Sequence, residues 1–131
     1  MEIKVVTPRG VYMKQTASAV HLASTEGEMT VLEHHVPIFA ALVPCPLILT
    51  AEDGTKKEYA LSGGFMKYGE GDCLILTDAI EGREEIDIER ARQAYQRARD
   101  RIEKKDALTN MKRANLALAR AINRIHVYEM K

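Results

Sequence analysis

Up to about residue 80 the apolar residues come in short runs, several of them alternating with polar ones, and each run ends in turn-forming residues. The runs IKVV, SAVHLAS, EMTVL, PLILT, KKEYAL, GFMKY and CLILT are separated by TPRG, TEG, EDG and GEGD. A period of two puts successive side chains on opposite faces of a strand, and Gly, Asp and Pro supply the backbone shapes of tight turns. This stretch predicts an antiparallel β-sandwich or barrel. Within it, SGGF reads as a bulge or a close backbone contact at the start of a strand.

After AIEGREE the period changes. Ile88, Ala91, Tyr95, Ala98 and Ile102 recur at alternating steps of three and four, as do Met111, Ala114, Leu118, Ala121 and Ile125 beyond the polar break KKDALTN. Each set is one stripe of an α-helix, and two helices joined by a short connector form an antiparallel hairpin. The expected organisation is β + α: an N-terminal antiparallel β-sandwich over residues 1–84, then a C-terminal antiparallel two-helix hairpin over residues 85–131. Alanine dominates both stripes and buries little surface, at about 25 cal/mol per Å². Such a seam suits a movable element.

Composition adds limits. The 131 residues fit one compact domain with an appended element, and 46% apolar against 5% aromatic residues predicts an aliphatic core. No stretch approaches the roughly 20 apolar residues of a membrane span, and MEIKVVTPRG lacks the apolar run of a secretory signal, so a soluble, unexported protein is expected. Cys45 and Cys73 have no zinc-type spacing and read as buried thiols. The zero net charge conceals a split: residues 1–84 carry 7 Lys/Arg against 12 Asp/Glu, and residues 85–131 carry 12 against 7. Halves of about −5 and +5 suggest a body that docks its own tail, or a tail meant for an acidic partner.

The positive half is patterned. Arg90, Arg97 and Arg101 are spaced seven and four, and so are Arg113, Arg120 and Arg124. One reading is a solvated face with weak internal ion pairs, such as Glu89 or Asp100 with an arginine. The other is an anion site, since guanidinium binds phosphate bidentately and stays charged when partly desolvated. Asp87 fits both, as an acid in the first turn of a helix or as an acceptor for a ligand. A nucleic-acid reading is weak, because the chain is neutral and its helices offer only Tyr95 and Tyr128 for stacking. Catalytic signals are poor: Ser62 in LSGGF lacks the G-x-S-x-G elbow, and no Walker-type loop ends in Lys-Ser or Lys-Thr. His34 and His35, being adjacent, suit packing, a turn or the surface rather than a shared metal.

In combination, the segments VTPRGVY, GEMTVLEHHVP, ALSGGFMKY and AIEGREEIDIERA resemble, in order and over essentially the whole chain, the epsilon subunits of F-type proton-translocating ATP synthases. The chain departs from that pattern at Glu33 and His34, where a proline-glycine turn is common, and at Thr30, where glycine is common. The resemblance implies a non-catalytic rotor subunit of the central stalk. Its sandwich would pack on the gamma subunit and the c-ring, with His35, Pro37, Ser62, Gly63, Gly64 and Phe65 as interface residues. Its tail would either fold against the sandwich or extend towards the beta and alpha subunits and hinder ATP hydrolysis. The expected location is the cytoplasmic face of the cell membrane, peripheral, without membrane insertion or nucleic acid. IDIERA also matches the (Ile/Leu)-Asp-x-x-Arg-Ala motif with which some bacterial epsilon subunits bind ATP, through Ile86, Asp87, Arg90 and Ala91. Arg97, Arg101, Arg113, Arg120 and Arg124 would supply the phosphate contacts. ATP is then a regulatory ligand, with Mg²⁺ left open and no metal or required cofactor expected. The rival reading is a stand-alone nucleotide- or nucleic-acid-binding regulatory module.

Overall fold

The computed structural model describes residues 1–104 and 110–130, so most of the connector KKDALTN falls outside the described residues. Ten strands come first: β1 (Glu2–Thr7), β2 (Gly10–Thr16), β3 (Ala19–Ser24), β4 (Gly27–Leu32), β5 (Ile38–Leu42), β6 (Cys45–Thr50), β7 (Lys56–Leu61), β8 (Gly64–Gly69), β9 (Asp72–Leu76) and β10 (Ile80–Gly82). A 3₁₀ connector turn, Arg83–Glu85, leads to α1 (Ile88–Lys104) and α2 (Met111–Glu129).

The strands hydrogen-bond in the order β10-β7-β6-β3-β5-β8-β9-β1-β2, with β4 added on β3. One pair departs from the antiparallel rule: β1 runs parallel to β9, pairing Glu2 with Asp72 and Val5 with Ile75. The alternation read from the sequence fills the interior. Ile3 and Val5, Val20 and Leu22, Leu47 and Leu49, Met66 and Tyr68, and Cys73 and Ile75 are all buried in one core. Both cysteines are free and buried, and burial pushes the Cys73 thiol up to about 11.

Gly64 opens β8 at φ 124°, and a Cβ there would lie 2.0 Å from the Leu76 carbonyl oxygen. The SGGF motif therefore marks a close backbone approach that only glycine permits. Elsewhere the chain tolerates a harder choice. His34 adopts φ 66° at a position where the resemblance led one to expect glycine. Its N–H donates to the Tyr68 hydroxyl at 3.1 Å, and Glu33 accepts from the Met1 ammonium at 2.7 Å.

Both helical stripes face inward: Ala91, Ala98, Ala114 and Ala121 are buried, and Ile88, Tyr95, Ile102, Met111, Leu118 and Ile125 are half-buried. The Asn110 side chain caps α2 by accepting from the Arg113 N–H at 3.0 Å. α2 lies on β6, β7 and the connector turn, while α1 packs on α2. Val127 joins Ala60 and Ile86 in a small second core with Met130 against it. Polar contacts complete the docking. Asn123 Nδ2 donates to the carbonyls of Cys45 at 2.9 Å and Leu61 at 3.1 Å, and Arg83 Nε donates to the Tyr128 carbonyl at 3.4 Å.

Candidate functional site

Where the tail meets the sandwich, a cleft of about 440 Å³ is lined by Glu81 of β10, Glu85 of the connector turn, Asp87, Arg90, Ala91, Ala94 and Arg97 at the start of the tail, and Arg124 of α2. Local physics builds it. The chain leaves the connector turn extended at Ile86, whose side chain is buried under the tail. Asp87 then opens α1: its carbonyl accepts from the Ala91 N–H at 3.0 Å, and its Oδ1 accepts from the Arg90 N–H at 3.2 Å. That is the geometry of an N-cap, worth about 1 kcal/mol. Ala91 is buried, so the backbone of α1 can approach α2 closely.

Arg90 and Arg97 are exposed and line the cleft one above the other on α1. Among the described residues neither forms an ion pair. Glu89 pairs with Arg92 at 2.8 Å, and Asp100 accepts from Gln96 at 2.9 Å, so the acids nearest in sequence leave both arginines to the cleft. Arg124 reaches the same cleft from the other helix, and its Nε donates to Glu81 Oε1 at 2.6 Å. Three guanidinium groups from two helices thus face one opening together with three carboxylates.

The six arginines do not share one site. Arg120 turns into a smaller pocket, lined also by Ser62, Glu81, Asn123 and Arg124, and its buried Nε has no partner among the described residues. Arg101 and Arg113 lie exposed, further along the hairpin, outside the cleft lining. Sequence reasoning missed Glu81, Glu85, Ala94 and Asn123. Spacing within one helix gives no signal for residues contributed by β10 or the connector turn.

A second surface lies on the outer face of the sheet. Phe39 and Phe65 are 70% and 49% exposed and stack with centroids 5.8 Å apart. Phe65 pairs across the ladder with Leu76, Leu76 with Val6, and Val6 with Val11. With Leu76 and Val11 also exposed, this makes an apolar row across β5, β8, β9, β1 and β2, of the kind that marks a protein contact. At one end of the sandwich His35 packs edge-on against Tyr68 at 6.1 Å beside exposed Val36 and Pro37. Ser62 Oγ is spent internally, accepting from the Ala79 N–H at 3.0 Å.

Known proteins match this arrangement throughout. The family described as ATP synthase, Delta/Epsilon chain, beta-sandwich domain, matches residues 1–83, and the corresponding long alpha-helix domain matches residues 84–129. An ATP synthase epsilon chain from Clostridium novyi is 40% identical over 126 residues, covering 96% of this chain and 95% of that one. One from Staphylococcus haemolyticus is 39% identical over 133 aligned positions, covering 100% and 98%. Among solved structures, a chain of the Euglena gracilis mitochondrial ATP synthase (OSCP/F1/c-ring) superposes with a TM-score of 0.79 at 29% identity, covering 89% of this chain and 74% of that one. A chain of the Tetrahymena thermophila central stalk and c-ring shares the fold, with a TM-score of 0.65 at 19% identity over 98% and 96% of the two chains. No helix among the described residues is long and apolar enough to cross a membrane. Sandwich, helical tail and full-length relatives agree: the chain belongs to the epsilon-subunit family of the ATP synthase, non-catalytic subunits of its central stalk.

Proposed function

We propose that the protein is a regulatory rotor subunit whose helical tail senses ATP. In this reading the sandwich couples proton-driven rotation to the catalytic head. Its apolar row across Phe39, Phe65, Leu76 and Val11 packs on the gamma subunit, and the end carrying His35 and Pro37 meets the c-ring at the cytoplasmic face of the membrane. When the tail extends, its basic residues approach acidic segments of the beta and alpha subunits and hinder ATP hydrolysis. When it is folded, ATP binds in the cleft and keeps it there.

The observation that carries the nucleotide reading is the convergence of Arg90, Arg97 and Arg124 from two helices on one cleft walled by the sandwich residue Glu81. Its size falls within the range of about 300–1,000 Å³ common for small-molecule sites. Guanidinium groups suit a triphosphate, and the carboxylates of Glu81 and Asp87 suit an exocyclic amino group. Because both helices and the sandwich contribute, a ligand there stabilises only the folded tail. The gain is RT ln(1 + [L]/Kd), about 2.7 kcal/mol at a hundredfold excess.

Calorimetric titration of the full chain with ATP, ADP and GTP, with and without Mg²⁺, tests this. Saturable, ATP-selective heat that is lost in Asp87→Ala, Arg90→Ala and Arg97→Ala is expected, with Arg101→Ala and Arg113→Ala close to the unsubstituted protein. Absence of heat at millimolar ATP would reject the sensor and leave the tail governed by rotation and its protein partners.

A further inference from the structure

Glu85 belongs both to the cleft and to the sandwich. Its carboxylate lines the cleft, yet its Oε1 accepts from the Tyr12 hydroxyl of β2 and from the Gly82 N–H at 2.9 Å. Tyr12 is itself set by an edge-on contact with Tyr59 of β7, with centroids 6.4 Å apart and planes at 88°. A Cβ on Gly82 would lie 2.9 Å from Glu85 Oε1 and 3.7 Å from the Tyr12 hydroxyl oxygen, so the carboxylate fits because residue 82 has no side chain. Strands β2, β7 and β10 therefore converge on one acid of the connector turn.

Past that acid the support changes. Ile86, extended at φ −72° and ψ 121°, packs on Ala60 of β7 but also on Val127 of α2. Among the described residues Asp87 bonds only forward, into α1. The sandwich thus holds the connector turn through Glu85, beside the single bond that Arg83 gives to the Tyr128 carbonyl of α2, and past Glu85 the packing of Ile86 depends on sandwich and tail together.

We propose that Tyr12 is a positioning residue for the cleft: through Glu85 it keeps the connector turn on the sandwich, so that the tail pivots at Ile86 and Asp87. The cleft part of this rests on the nucleotide reading above, whereas the pivot does not. A wall that stays ordered when the tail leaves lowers the entropy cost of rebuilding the site each time the tail returns.

The test uses the full chain as Tyr12→Phe, Glu85→Ala and the double variant. Amide hydrogen exchange without nucleotide is read at residues 82–86, in both helices and in β1 and β9. Tyr12→Phe is expected to exchange roughly tenfold faster at residues 82–86 with β1 and β9 unchanged, Glu85→Ala at least as fast because it also frees the Gly82 N–H, and the double variant no faster than Glu85→Ala. ATP affinity should fall about fivefold in Tyr12→Phe with the preference over ADP kept. Unchanged exchange at residues 82–86 would overturn the proposal, as would connector and helices opening at one common rate in the unsubstituted protein. If that protein binds no ATP, the sensor reading fails while the exchange data still decide the clamp.

Discussion

One side chain of α2 makes two hydrogen bonds to the sandwich, and replacing it tests how firmly the tail is held. Asn123, 7% exposed in α2, donates both amide hydrogens to the carbonyls of Cys45 and Leu61, which face each other across the β6–β7 ladder. Asn123→Ala removes both donors and leaves two carbonyl oxygens without them under the helix. At about 1 kcal/mol net for each bond, docking weakens by about 2 kcal/mol. That amounts to roughly a 30-fold larger population of the undocked tail. Amide exchange followed residue by residue reads this directly: protection in α2 should fall by about that factor, while Ile3, Val5, Cys73 and Ile75, buried in the sandwich core, keep theirs. Asn123→Asp should act more strongly, because it turns an acceptor towards two acceptors. Uniform loss of protection through β1 and β9 would refute the reasoning, since it would make tail and sandwich one cooperative unit. No change in α2 would refute it from the other side.

Further outcomes follow from the geometry. Gly64→Ala should lower Tm by roughly 10 °C or more, from several kcal/mol of backbone collision with Leu76; Gly10→Ala, with open space around it, should cost only about 1 kcal/mol for its positive φ. Both are read by thermal melting. Phe39→Asp should cost only about 1 kcal/mol, from the lost stack on Phe65, because the ring is otherwise exposed, but should abolish co-purification with the gamma subunit. The Tyr12–Glu85 pair sets a pH window. Hydrogen bonds from Tyr12 and Gly82 hold Glu85 below its ordinary 4.5, so its contribution is present above that value and is lost as pH falls through the depressed one. Burial, then Glu85, raises Tyr12 from 10.0 to about 12, so its contribution is complete below 10.0 and is lost as pH rises through about 12. Stability against pH, measured with denaturant, should lose its alkaline limb at Tyr12 in Tyr12→Phe.

The sequence made visible those features that depend on neighbours in the chain. Strand alternation and the stripes from Ile88 to Ile102 and from Met111 to Ile125 are local periodicities, and the fold kept them. The glycine pair in SGGF was legible because few other residues adopt such a backbone shape. Pairings across distance were not. Nothing in IKVV says that β1 lies parallel to β9, because register is decided by the partner as much as by the strand. In the same way, helical spacing places Arg90 with Arg97 but cannot say how far α2 slides along α1. That offset brings Arg124 into the cleft, directs Arg120 elsewhere and leaves Arg101 and Arg113 outside. Asn123 carries no signal in the sequence, since its two partners lie 78 and 62 residues away.

The parallel pairing of β1 with β9 also orders events in time. On a ribosome adding about 5–20 residues per second, β2 is complete roughly 3–12 s before Leu76 exists to close the ladder on Val6. Until then the first hairpin has only its own short-range bonds, and the half-made sandwich exposes Ile3 and Val5, which are fully buried once it closes. The helices are made afterwards and contact each other at short range, which favours assembly far faster than the sandwich. Newborn chains should therefore pass through a vulnerable interval that ends with β9, and a truncation just short of Asp72 should be insoluble while one after Glu85 should not.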